Sequence, residues 1–176
     1  TIGIQLAKHG GANGTTTTST KNIDLVKSLG ADNVIDYTKE SYLDESSKFD
    51  VVFDTLGGKH TFDSFKVLKV GGRVVSIAGD LDSVTTKQLG LNKIISFLLA
   101  LKAKKITKVA SKMGALYRFL LMSPNGEQLK ELSKLYESGA IKPVIDKIYN
   151  FDDSIQALNY LSKGRARGKV IVNMRE

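Results

Sequence analysis

Residues 17–22, Thr17-Thr18-Ser19-Thr20-Lys21-Asn22, crowd hydroxyls around a single lysine. A hydroxyl can donate to a phosphate oxygen and a lysine can neutralise it, whereas a carboxylate would repel it. The hexapeptide ends a β-branched run that lies between two helical segments, Thr1–His9 and Ile23–Leu29. The end of a strand inside a βαβ unit is where a dinucleotide-binding sheet meets the adenosine ribose, and a carboxylate there would select the 2′-hydroxyl of NAD. Hydroxyls and a lysine in its place fit the 2′-phosphate of NADP(H). The alternative is a threonine-rich surface turn leading into a helix, since Ser and Thr are good N-caps.

Other chemistries are poorly supplied. There is no cysteine, so neither a disulfide nor a cysteine-ligated zinc can come from this chain. The imidazoles are His9 and His60, far apart in sequence, and no metal site is expected. The net charge of +8 invites a nucleic-acid or membrane partner. However, Lys and Arg are scattered along helical segments without interleaved aromatics or a nucleic-acid motif, so no nucleic acid is expected. An anionic cofactor is reason enough for the charge. Hydrophobic residues make up 41% of the 176, which permits a real core.

The elements that must position these residues alternate in type. Thr1–His9 has Ile2, Leu6 and Ala7 at helical spacing, and Gly10–Gly14 stops it. Thr15–Ser19 reads as a strand, Asn22–Leu29 as a helix and Asn33–Tyr37 as a short strand. Thr38–Lys48 is polar. Phe49–Asp54 is a near-continuous apolar run with a Gly-Gly exit, the pattern of a buried parallel strand. Thr61–Leu68 reads as a helix and Gly71–Gly79 as a strand. Leu89–Lys112 joins an apolar run, Ile94–Leu101, to Lys102, Lys104, Lys105, Lys108 and Lys112. A core or interface helix with a solvated basic tail is the preferred reading, and peripheral membrane contact is the alternative. Gly114–Met122 reads as a strand. Glu127–Ser138 reads as a helix with Leu129, Leu132 and Leu135 inward. Ile141–Tyr149 is extended, and a helix capped by Asp152 runs through Leu161. A basic turn, Gly164–Lys169, leads to a last strand, Val170–Met174. Strands alternating with helices predict an α/β fold with a doubly wound parallel sheet.

Several runs occur here in the order of a known family. They are Gln5-Leu6-Ala7-Lys8, Leu29-Gly30-Ala31-Asp32, Val34-Ile35-Asp36-Tyr37, Phe49–Asp54, Gly71–Val75 and Gly164–Val172. With them the chain resembles the medium-chain dehydrogenase/reductase superfamily, and within it the zinc-independent quinone oxidoreductases and enone reductases. The resemblance implies a Rossmann-type domain over residues 1–140, lacking its first strand and Gly-rich loop. It implies a segment, 141–176, that returns to a GroES-like catalytic domain. The chain therefore reads as a fragment, inert by itself. Gly14 departs from the family, which starts this strand with a branched apolar residue.

The implied activity is NADPH-dependent reduction of quinones or activated C=C bonds. By the same resemblance Ser19 and Lys21 match the 2′-phosphate site, and Tyr37 matches the aromatic near the adenosine. Thr55 matches the position facing the cofactor after the buried strand. Phe119 and Leu121 match backbone contacts near the nicotinamide. Arg165, Ala166 and Arg167 match a turn reaching the cofactor phosphates. No catalytic residue is assigned. A homodimer paired through the Leu116–Leu121 strand and a cytoplasmic location, with mitochondrion or plastid as alternatives, complete the expectations. The competing functions are a cofactor-binding module without chemistry and a basic surface-binding domain.

Overall fold

A computed structural model describes residues 1–45 and 48–174. The elements in chain order are α1 (Ile2–His9), β1 (Thr15–Thr18), α2 (Ile23–Ser28), β2 (Asn33–Asp36), β3 (Phe49–Asp54), α3 (Lys59–Ser64) and β4 (Leu68–Ser76). They continue with α4 (Ser83–Gln88), α5 (Lys93–Lys112), β5 (Leu116–Phe119), α6 (Gly126–Glu137), β6 (Ile145–Asn150), α7 (Ser154–Ser162) and β7 (Lys169–Asn173). Short 3₁₀ turns at Thr20–Asn22, Tyr42–Asp44, Phe65–Val67 and Phe151–Asp153 join them. The strands form three sheets, β1-β2, β3-β4-β5 and β6-β7, and every pairing is parallel. The parallel α/β expectation holds. The strands are divided among a pair, a triple and a second pair because no described strand supplies hydrogen bonds between these sets. The chain divides into two compact units, Thr1–Ser41 with Asn125–Glu176, and Tyr42–Pro124.

In the first unit, Thr15 to Thr18 pair with Asn33 to Asp36 in register. Beyond the pair, α1 buries Gln5 where sequence periodicity favoured its apolar neighbours. The Gln5 side-chain amide explains this. Its Oε1 accepts from the Lys142 backbone N–H at 2.8 Å, and its Nε2 donates to the Lys142 carbonyl at 3.0 Å. An amide side chain so used replaces one residue of a strand ladder, and burial costs little when both ends are satisfied. The C-terminal part of this unit is a β6-α7-β7 crossover. Asp153 rather than Asp152 stands at the N-cap of α7, where its carboxylate accepts from Gln156 Nε2 at 2.8 Å. Leu129 of α6, expected inward, is 63% exposed, while Leu132 and Leu135 are half-buried.

In the second unit α3 and α5 pack on one face of β3-β4-β5. The core there is Phe65, Leu68, Val74, Ala103, Ile106, Ala110, Ala115 and Tyr117. The strand β3 is buried on that face alone. Val52 and Asp54 point inward, while Val51 and Phe53 are each 55% exposed. It is also an edge strand in the β3-β4-β5 order, so an apolar run that reads as doubly buried meets a helical layer on one side only. The helix α5 reverses its expected division. Its lysine-rich half supplies the core through Ala103, Ile106 and Ala110, spaced for one face, whereas Ile94, Phe97, Leu98 and Leu101 are exposed. Among the described residues no helix is long and apolar enough to cross a membrane. The helix α4 had no strong sequence signal. It starts because the Asp82 carboxylate accepts from the backbone N–H groups of Val84 and Thr85 at 2.9 and 2.8 Å.

Candidate functional site

The carboxyl ends of parallel strands are where an open α/β sheet binds ligands. Thr18 and Asp36 are register partners at the ends of β1 and β2. Ser19, Lys21 and Tyr37 follow directly, so the structure brings these three together on one crest. The Tyr37 N–H donates to the Thr18 carbonyl at 3.0 Å, which carries the pairing one residue past the strands. Its ring is 58% exposed. Ser19 is half-buried and caps the 3₁₀ turn by position only, since it makes no side-chain cap bond. Lys21 is exposed on that turn, and its ammonium pairs with no carboxylate among the described residues.

Sequence reasoning passed over the anchor of this crest. Asp36, only 5% exposed, ends β2 and holds two hydroxyls, one two residues on and one 16 residues back in the sequence. Thr20 Oγ1 donates to Oδ2 at 2.5 Å, Thr38 Oγ1 donates to Oδ1 at 2.6 Å, and the Thr38 N–H adds a third bond at 3.1 Å. Donation by the Thr20 hydroxyl first, and by Thr38 second, holds the carboxyl down at about 2. Asp36 is therefore ionised, with the exposed Lys39 ammonium 3.7 Å from its Oδ2.

The second unit builds a comparable crest. Asp54 ends β3. Its Oδ1 accepts from the N–H groups of Leu56 and Gly57, both at 3.0 Å. Its Oδ2 accepts from Thr61 Oγ1 at 2.6 Å and Ser76 Oγ at 2.8 Å. Burial alone would raise this carboxyl, but the four donors outweigh it and the net direction is down. Gly57 has φ 74°, and a Cβ there would stand 2.3 Å from the Ala78 carbonyl oxygen, so the turn after β3 lies directly against the turn after β4. Thr55, exposed, sits on this turn.

Across β4, Phe119 ends β5. Its N–H donates to Asp82 Oδ2 at 3.2 Å, and its carbonyl accepts from Thr85 Oγ1 at 2.8 Å. Asp82 also accepts from Arg118 at 3.1 Å. Phe119 is half-buried and Leu121 exposed. Thr55 and Phe119 thus share one crest with β4 between them. Tyr117 supports it from below by donating to the Asp80 carbonyl at 2.7 Å, and burial pushes its phenol up to about 12.

Arg165, Ala166 and Arg167 form the turn between α7 and β7, tied to the β6-β7 pair. The Arg167 N–H and the Tyr160 hydroxyl both donate to Asp146 Oδ2, at 3.1 and 2.8 Å. Tyr160 first, then Arg167, holds the Asp146 carboxyl low. Both arginine side chains are exposed.

Parallel strands joined by helical crossovers, with polar anchors gathered at their carboxyl ends, define a Rossmann-type α/β protein. The family model for zinc-binding dehydrogenases matches residues 29–172, and the chain belongs to that family, within the medium-chain dehydrogenase/reductase superfamily. It is 40% identical, over 97% of its length, to a 2-methylene-furan-3-one reductase of Solanum lycopersicum, of which it covers 36%. It is 38% identical, over 96% of its length, to a chloroplastic NADPH-dependent alkenal/one oxidoreductase of Arabidopsis thaliana, of which it again covers 36%. Among solved structures, the quinone oxidoreductase of Coxiella burnetii matches with a TM-score of 0.75 and 29% identity, over 99% of this chain and 49% of that one. The chain thus spans a third to a half of the proteins it matches. The zinc in the family's description finds no fit here. The chain has no cysteine, and the described residues hold no group of three or more His, Asp or Glu that could bind a metal.

Proposed function

We propose that this chain is the cofactor-binding part of an NADPH-dependent reductase of quinones or activated C=C bonds. The observation that carries the reading is the β1-β2 crest. It presents Ser19 and an unpaired Lys21, while its one buried carboxylate, Asp36, is occupied by threonine hydroxyls. A 2′-phosphate meets a cation and hydroxyl donors there, and the nearby Glu40 carboxylate is engaged by the Asp36 N–H at 3.0 Å. The three relatives, a 2-methylene-furan-3-one reductase, an alkenal/one oxidoreductase and a quinone oxidoreductase, support the substrate class.

Bound NADPH supplies a hydride. With a proton, that hydride would account for the two-electron reduction of an enone or a quinone. In this reading Lys21 and Ser19 hold the 2′-phosphate and Tyr37 lies near the adenosine. By the family resemblance Thr55 faces the cofactor, the backbone around Phe119 and Leu121 lies near the nicotinamide, and the Arg165–Arg167 turn reaches the phosphates. The partner is a small quinone or enone.

We also assign a homodimer formed through β5. It is an edge strand that ends at Phe119, two residues short of the expected Leu116–Leu121 run, with Leu116 exposed on it and Leu120 and Leu121 exposed just beyond it. Because Asp82 and Thr85 occupy the Phe119 backbone groups, self-pairing would use the edge at Tyr117 and Leu121.

The natural protein carrying this chain, given [4-²H]NADPH and either an alkenal or a quinone, tests the activity. Deuterium at the β-carbon of the reduced alkenal, or stoichiometric quinol formation, is the expected result. NADPH left unoxidised with both substrate classes would leave only a binding module.

A further inference from the structure

We infer that Asp36 is a positioning residue for cofactor selection, acting through the hydroxyl of Thr20. The inference rests on the NADPH reading and deepens it. The residues expected to meet the 2′-phosphate, Ser19 and Lys21, flank Thr20 in sequence. The residue expected near the adenosine, Tyr37, directly follows Asp36. One carboxylate therefore bolts the turn that carries the phosphate contacts to the turn that carries the adenosine contact. The bolt has two arms, Thr20 Oγ1 to Oδ2 at 2.5 Å and Thr38 Oγ1 to Oδ1 at 2.6 Å, and the two hydroxyl oxygens lie 3.1 Å apart. The strand end is fixed in turn, since the Asp36 N–H donates to Glu40 Oε1 at 3.0 Å and its carbonyl accepts from Lys39 and Glu40.

Two consequences follow. First, the 3₁₀ turn Thr20–Asn22 makes no side-chain cap bond of its own. Its orientation is instead held by the Thr20 bond, so the direction in which Lys21 projects is set before any ligand arrives. Pre-organisation of this kind raises affinity by lowering the ordering cost of binding. Second, the hydroxyls, together with the Lys39 ammonium 3.7 Å from Oδ2, cover the Asp36 carboxylate and screen its charge from the phosphate. Release of Thr20 both loosens the cation and uncovers the anion, and both effects act on the 2′-phosphate alone.

The test compares binding of 2′,5′-ADP and ADP to the natural protein by calorimetry, with steady-state kinetics for NADPH. Wild type and Thr20→Ser, which keeps the hydroxyl, are expected to prefer 2′,5′-ADP. Thr20→Val and Asp36→Asn are expected to lose that preference by roughly three- to tenfold, the net value of an ordinary hydrogen bond, since the loss reaches the phosphate only through the position of Lys21. The KM for NADPH should rise with kcat held. Thr20 is a surface residue, so its variants remain folded and informative if Asp36→Asn does not fold. Loss of preference in Lys21→Ala but not in Thr20→Val would overturn the positioning role and leave the NADPH reading standing. Equal weakening of both nucleotides by Thr20→Val would reduce Asp36 to a structural residue. Equal binding of both nucleotides by wild type would remove the NADPH reading itself.

Discussion

Asp36 and Asp54 are the same device in two settings. Each is the last residue of a parallel strand, each is 5% exposed, and each accepts from two hydroxyls. The settings differ in what else the carboxylate holds. Asp54 collects backbone N–H groups from a turn with positive φ, and its Thr61 and Ser76 partners are themselves buried. Asp36 collects the hydroxyls of Thr20 and Thr38, the Thr38 N–H and, at 3.7 Å, the Lys39 ammonium, all on exposed residues. Removing Asp54 would leave several buried donors without water or partner, whereas the donors around Asp36 can turn to solvent. The Asp54 crest is therefore a structural element, and the Asp36 crest is tunable at small cost to the fold. Ligand selectivity is better placed at the second kind of site.

The largest expected effect breaks the Asp54 side of this comparison. Gly57→Ala combines a left-handed backbone with a Cβ 2.3 Å from the Ala78 carbonyl oxygen, and the obstructing atom is backbone. A loss of about 3 kcal/mol or more is expected in denaturant unfolding. Gly58→Ala has positive φ but open space around the new methyl, and should cost only about 1 kcal/mol. Equal costs would mean that the two turns do not lie against each other as described. Next, Asp54→Ala should cost about 3 kcal/mol, since each stranded buried donor costs roughly 1–3 kcal/mol. Asp36→Ala should cost clearly less, and a reversed order in urea midpoints would contradict the comparison.

Acid should reach both sites. Asp36, Asp54 and Asp82 all have carboxyls held below the usual range when folded. A depressed folded value means that the stabilisation is complete above the unfolded value and is lost as pH falls through the folded one. Stability should be flat with respect to these groups near neutrality and should fall between about pH 4 and 2. In Asp54→Asn that acid slope should shrink, and an unchanged slope would point to other carboxylates. The smallest effect on the fold is at the β5 edge. Leu116→Glu places a charge on an exposed position, so stability should change by less than about 0.5 kcal/mol. Sedimentation should nevertheless shift from dimer to monomer. A protein already monomeric at micromolar concentration would remove the proposed interface.

Much of the architecture was legible because it is carried by local pattern. The β-branched run before Ser19, the apolar run Phe49–Asp54 and the glycine stops predicted strands and helices close to where they lie. The elements misjudged are those whose environment is set from a distance. Gln5 is buried by a backbone partner 137 residues away, and nothing in the periodicity of α1 announces it. Leu129 has the spacing of an inward residue, but spacing says nothing about whether a neighbour covers it. The helix α4 hangs on one cap, Asp82, that is also committed to Arg118 and Phe119. Ser19 and Lys21 could be proposed from the sequence because strand-end positions have a known use, and Tyr37 from the family resemblance. Asp36 could not, because its partner Thr20 is 16 residues away and the family-like run Val34-Ile35-Asp36-Tyr37 draws attention to the tyrosine. An acid that ends an apolar strand, with hydroxyl residues after it or after the neighbouring strand, was the available signal at both crests.

The central claim is that the β1-β2 crest reads a 2′-phosphate, and Lys21→Ala addresses it most directly. Dissociation constants for NADPH and NADH are to be measured by fluorescence titration of the natural protein carrying this chain and of its Lys21→Ala variant. A charge-assisted bond is worth about 1.5–3 kcal/mol, so NADPH binding should weaken by roughly one to two decades while NADH binding changes by less than about twofold. Equal weakening of both cofactors, or no change in either, would contradict the account.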